Sequence, residues 1–141
     1  MDRKMEILNP RKEYTTCENL VYSCQYHVIF CSKYRKPIIT GEIEVRLREI
    51  LYNVASQYNF EIIEVEMMPD YVHMIISCNP QFGIAECVKK MKSASAHILR
   101  KEFKKLTTSM PNLWTRHAFI STVGSVSLDV INKYVASQKG V

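Results

Sequence analysis

The chain has 141 residues, 47% hydrophobic and 23% charged, a balance that excludes a disordered polymer and suits one globular domain with a single core. Its formal net charge is +5 and its sequence pI is near 9.0, which makes a polyanion the expected class of partner. Nucleic acid leads over a membrane, because no basic amphipathic helix with an aromatic apolar face stands out and no apolar run is long enough to span a bilayer.

The opening MDRKMEILNPRKEY is charged throughout and holds no apolar stretch of signal-peptide length, so residues 1–19 read as an N-terminal arm and 20–141 as one domain expected in the cytoplasm. Cysteines 17, 24, 31, 78 and 87 are an odd set without CxxC or Cys/His zinc spacing, which points to reduced thiols. From Val21, VYSCQYHVIFCSK alternates, with Tyr22, Cys24, Tyr26, Val28 and Phe30 on one face and Ser23, Gln25, His27 and Ile29 on the other, as one strand would. EIEVRLREILYNVASQYN then repeats apolar residues at helical spacing: Ile43, Leu47, Ile50, Leu51, Val54 and Tyr58. FEIIEVEMM alternates again, turns at Pro69-Asp70 and resumes as YVHMIISC, an antiparallel hairpin whose second strand directs Val72, Met74, Ile76 and Cys78 inward.

GIAECVKKMKSASAHILRKEF gives a second amphipathic helix through Ile84, Val88, Met91, Ser95, Ile98 and Leu99, with a basic outer side. HAFISTVG is a short fourth strand, and SLDVINKYVASQ a last helix opened by a serine cap and striped by Leu128, Ile131 and Val135. The order β-α-β-β-α-β-α is that of a split βαβ α+β sheet with both long helices on one face and the other face free to bind a ligand.

The period of two sends Tyr71, His73, Ile75 and Ser77 to that free face. A lone strand histidine is more often structural than a ligand; the last helix adds Tyr134 and Gln138, four apart, projecting a phenol and a carboxamide from one side. A tyrosine hydroxyl can attack a phosphodiester to form a covalent phosphotyrosine, conserving the bond energy without a nucleotide cofactor. A divalent metal on neutral nitrogen and amide-oxygen ligands neutralises the attacked phosphate.

Four segments, YHVIFCSKYRKPI, EVEMMPDYVHMIIS, VKKMKSASA and NLWTRHAFISTVGSVSLDVINKYVASQ, resemble in order and spacing the single-tyrosine HUH transposases of the insertion sequence 200/605 group, over roughly Leu20 to Gln138. The resemblance implies a ferredoxin-like (RRM-like) antiparallel sheet with two helices on one face and a C-terminal helix carrying the nucleophile. It implies a homodimer with active sites shared between subunits, acting on single-stranded DNA folded into hairpins at the element's ends, with Mg2+ or Mn2+ as cofactor. Carried over by position, Tyr134 is the catalytic nucleophile, His73 the second histidine of the HUH motif and Gln138 the third metal ligand. At position 71 the family has histidine, in PDHVH, and this chain reads PDYVH.

Three readings of Tyr71 stand. One is a working site completed by His73, Gln138, water and Glu66 or Asp70. Another is a weakened or inactive relative that still binds hairpin DNA, and the third has Tyr71 ligating as phenolate, against a reference pKa of about 10. Outside the transposase class, an RRM-like RNA-binding module is the alternative, although YVHMIIS lacks the aromatic and glycine pattern of an RNP motif. For DNA contact the clustered cations nominate Lys33, Arg35 and Lys36 beside Tyr34, Lys89, Lys90 and Lys92 on the second helix, and Arg116, which follows a candidate stacking residue, Trp114.

Overall fold

The computed structural model describes residues 14–17, 20–123 and 128–141. Strands β1 (Thr15–Cys17) and β2 (Leu20–Tyr22) form a small antiparallel pair, and β3 (Gln25–Cys31) opens the main sheet. A 3₁₀ turn (Lys33–Arg35) leads to α1 (Gly41–Gln57), the hairpin β4 (Glu61–Met68) and β5 (Tyr71–Ser77), α2 (Ile84–Glu102), the short α3 (Lys105–Thr108), β6 (Phe119–Thr122) and α4 (Leu128–Ser137). The main sheet runs β4-β5-β3-β6, antiparallel throughout, which is the ferredoxin-like order expected of a split βαβ unit.

The helices form where the apolar period is 3.6. In α1 Ile43, Leu47, Ile50, Leu51, Val54 and Ala55 are buried, and Asn59, in the left-handed region at φ 56°, turns the chain out just past the helix end. In α2 Cys87, Val88, Met91, Ser95 and Leu99 face inward, and Arg100 and Lys101 lie in the last turn, where they complement the helix dipole. Both helices cover one sheet face, packing on Val28, Phe30, Val72, Met74 and Ile76 as the main core.

Three expectations change. The single strand from Val21 is broken at Ser23-Cys24: Leu20–Tyr22 pairs with β1, and the main-sheet strand begins at Gln25, opposite Ser77, with the Cys24 carbonyl accepting from the Cys78 N–H at 3.2 Å just beyond it. The arm over 1–19 is therefore partly a strand, while residues 1–13 and the serine cap of the last helix lie outside the described residues. The second sheet face is not free: α4 lies on it, with Ile131 and Val135 buried against Ile29, Cys31 and Tyr71. An apolar helical stripe must be buried, and the apolar side chains of β3 and β5 on that face accept it. All seven residues of β5 are buried as a result.

Cys24, Cys31, Cys78 and Cys87 are free thiols. Among the described residues no helix is long and apolar enough to cross a membrane.

Candidate functional site

The site is assembled from two central strands and the last helix. Across the β3–β5 ladder Cys31 faces Tyr71 and Ile29 faces His73, and on the other side β4 sets Met68 opposite Tyr71 and Glu66 opposite His73. Directly opposed residues share a face, so His73 stands with Tyr71, Ile29, Cys31 and Glu66 on the side that α4 covers. His73 is fully buried. Its Nε2 lies 2.9 Å from Nδ1 of His27, with the two rings stacked at 5.2 Å between centroids, and its own Nδ1 has no hydrogen-bond partner. Burial, helped by the His27 ring, pushes the His73 pKa down to about 4, so this imidazole is neutral at pH 7.

Tyr134 comes from the middle of α4 and packs its ring on Phe119 of β6, 5.4 Å between centroids, beside the Ile29–Cys31–Tyr71 cluster. Its hydroxyl is buried without a partner, and burial first, then the Cys31 thiol, raises its pKa well above the usual phenol value. Gln138 follows the last turn of α4 on the face of Tyr134 and is buried, with Oε1 unpartnered. The chain end beyond it is fastened: the Tyr34 N–H donates to the Val141 carbonyl at 2.6 Å, and Val141 N–H donates to the Gln138 carbonyl at 3.2 Å. Tyr71 is 7% exposed, and burial, with the carboxylates of Asp70 and Glu66, pushes its pKa up to about 12. It is a neutral phenol in this setting.

The donor chemistry can be tested against a divalent ion. Nδ1 of His73 and Oε1 of Gln138 are buried without a hydrogen-bond partner, and in the tautomer that leaves Nδ1 bare both are acceptors of the kind a small cation completes. Mg2+ commonly takes only one or two protein ligands and keeps water and substrate phosphate for the rest, so two such atoms fit it. Tyr71 adds no anionic oxygen, Asp70 is held by Arg35 at 2.7 Å, and among the described residues no three His, Cys, Asp or Glu side chains gather as a closed cage.

The nominated cations divide by what they already hold. Arg35 is ion-paired to Asp70, Lys36 Nζ donates to the Ser109 carbonyl at 2.8 Å, and Lys92 Nζ donates to the carbonyls of Thr115 at 2.6 Å and His117 at 3.1 Å. Lys33 and Lys90 lie over the rings of Tyr34 and Tyr58 at 5.1 and 5.2 Å. Lys89 and Arg116 are exposed and both line a cleft of about 460 Å³ beside β6. A larger groove of about 710 Å³, between α2 and the segment 111–116, is lined by His97, Arg100, Asn112 and Arg116. Trp114 is not a stacking platform: it is buried edge-on against Phe30 at 4.7 Å, and its indole N–H donates to Ser95 Oγ at 2.9 Å.

Sequence reasoning missed His27. Its alternation already set it on one face with Ile29, but only the pairing of β3 beside β5 brings it to His73.

The chain is similar to several known transposases. The ISDra2 transposase TnpA of Deinococcus radiodurans is 38% identical over 120 residues, 84% of this chain and 86% of the relative. A transposase for insertion sequence element IS200 from Salmonella typhimurium is 29% identical over 105 residues, 73% of this chain and 69% of that one. A crystal structure of a transposase from Deinococcus radiodurans superposes with a TM-score of 0.82 at 32% identity, over 90% of this chain and 99% of that one. A REP-associated tyrosine transposase, solved bound to a REP hairpin, shares the fold with a TM-score of 0.55 at 13% identity, over 96% of this chain and 76% of that one. The family model described as IS200-like transposase matches residues 20–138, and the chain belongs to that family.

Proposed function

We propose that this protein cleaves and rejoins single-stranded DNA at hairpin-bearing element ends through a covalent 5′-phosphotyrosine on Tyr134, with Mg2+ or Mn2+ held by His73 and Gln138. The observation that carries the reading is the coincidence of two independent sets. Among the described residues the buried polar side-chain atoms without a partner are His73 Nδ1, Tyr134 OH and Gln138 Oε1, and these are the residues to which the family resemblance assigns metal binding and attack.

In the reaction the Tyr134 oxygen forms a bond to phosphorus as the bond to the departing 3′ oxygen breaks; the phenol proton leaves and the departing oxygen gains one. Rejoining reverses these steps. The divalent ion, when bound, supplies charge neutralisation and alignment of the phosphate. Neutral His73 offers a lone pair at working pH, and the apolar wall of Ile29, Ile131 and Val135 keeps water from the nucleophile. The phenol of Tyr134 is protonated and buried as it stands, so α4 shifts before attack. Lys89, Arg116 and Arg100 line the two clefts and form the phosphate-contacting side, whereas Arg35, Lys36 and Lys92 are engaged with protein groups and act mainly as braces.

Tyr71 favours a second reading, a relative that binds hairpin DNA and cleaves slowly or not at all, since a phenol with a pKa near 12 gives a metal little. The same value weighs against ligation as phenolate. The deciding experiment incubates the full chain with labelled single-stranded DNA carrying the element's end, with Mn2+ and Mg2+ separately, and looks for a denaturation-resistant protein–DNA adduct. The parent is expected to form it and Tyr134→Phe to lose it, with hairpin affinity changed by no more than about twofold. Hairpin binding without adduct in either metal establishes the second reading, and an adduct that survives Tyr134→Phe removes Tyr134 as nucleophile.

A further inference from the structure

His27 is a buried imidazole on β3 that the catalytic reading leaves unused. The β3–β5 register pairs Ile29 with His73 and His27 with Ile75, which makes His27 and His73 diagonal neighbours on one sheet face, and their nitrogens meet at 2.9 Å. We propose that His27 is the positioning residue of this site: its Nδ1 accepts a hydrogen bond from His73 Nε2–H and so holds His73 in the tautomer whose Nδ1 lone pair faces the divalent ion. The proposal rests on the metal-binding reading above.

The argument is a count of protons. Two neutral imidazoles share one hydrogen bond, so one of the two facing nitrogens carries the proton and the other accepts it. If His27 donated, His73 would carry its proton on Nδ1, a buried N–H with no acceptor, and it would have no lone pair to offer a cation. If His73 donates from Nε2, Nδ1 is a bare acceptor. Gln138 Oε1 is a second bare acceptor, and two buried acceptors lacking donors call for a cation. Outer-shell partners of this kind set ring orientation and tautomer, and with a phenol at position 71 His73 is the imidazole ligand whose orientation matters.

The test uses the full chain labelled with 15N-histidine. Long-range proton–nitrogen correlations are expected to show His73 protonated on Nε2 and bare on Nδ1, and Mn2+ affinity is read by electron paramagnetic resonance. His27→Phe removes the acceptor and is expected to mix the His73 tautomers and weaken Mn2+ binding by about 10- to 100-fold, whereas His27→Asn, whose carbonyl oxygen lies near the lost Nδ1, is expected to stay within about threefold. A parent His73 protonated on Nδ1 overturns the proposal. So does a folded His27→Phe chain with unchanged tautomer and affinity. Should His27→Phe fail to fold, the parent spectrum and His27→Asn decide alone. A parent that shows the Nε2–H tautomer yet binds no Mn2+ removes the metal reading and leaves the His27–His73 pairing supported.

Discussion

Tyr71 stands two residues before His73, opposite Cys31, and its ring is part of the contact on which Ile131 and Val135 rest. Because alternation points position 71 away from Val72 and Met74, the sequence alone suggests that Tyr71→His would leave packing untouched; the buried ring shows otherwise. The substitution supplies a second neutral nitrogen but removes aromatic surface beneath α4. Mn2+ affinity is expected to rise at least about tenfold, while unfolding stability falls by about 1 to 2 kcal/mol. Titration with Mn2+ and urea unfolding of the same sample read both, and unchanged affinity would place position 71 outside the metal sphere.

His73 makes stability depend on pH. Its folded pKa, about 4, lies below the ordinary 6.5, so the unfolded chain takes up the proton first as pH falls. The contribution is fully present above the unfolded value, drains away between the two, and is gone below the folded one. Between about pH 7.5 and pH 5 the loss is expected to be on the order of 2 kcal/mol in metal-free buffer. His73→Asn should flatten that part of the profile; an equally steep profile in the variant would assign it to other groups.

At the scale of elements, what the local pattern encodes was legible and what depends on partners was not. The stripes of α1 and α2 and the Pro69-Asp70 hairpin follow from period and turn chemistry alone. Where a strand ends depends on what pairs with it, so the break at Ser23-Cys24 has no local mark. Likewise Tyr71, Tyr134 and Gln138 carry a motif, whereas the His27–His73 contact exists only through strand order. Trp114 is the same kind of case, because its partner Ser95 sits 19 residues earlier, on α2. Ser95 Oγ accepts from the indole and donates to the Met91 carbonyl at 2.6 Å, tying the segment before β6 to the helix. Ser95→Ala leaves the buried indole N–H unmet and is expected to cost about 1 to 3 kcal/mol, with the loss recovered in part by Trp114→Phe in the same chain. Purely additive losses in that double-mutant cycle would show that the hydrogen bond contributes nothing.

For the whole molecule the question is where α4 works. Its seat on the sheet rests mainly on Ile131 and Val135, worth on the order of 3 to 6 kcal/mol before the entropy of holding the helix is subtracted. That is small enough for the helix to leave, and if Tyr134 is the nucleophile, as proposed above, its buried hydroxyl requires the helix to shift before a phosphodiester can approach. In the homodimer that the family resemblance implies, the two seats are identical, so α4 of one chain could occupy the seat on the other as readily as its own. Chains carrying His73→Ala and chains carrying Tyr134→Phe are each expected to be inactive alone. Mixed and allowed to exchange, they form dimers in which one site pairs an intact His73 with an intact Tyr134 from the other chain, and adduct formation should return to roughly a quarter of the parental level, since about half of the dimers are mixed and each holds one working site of two. If subunit exchange is demonstrated and no adduct returns, Tyr134 serves the His73 of its own chain, and the cis seat of α4 is also its working position.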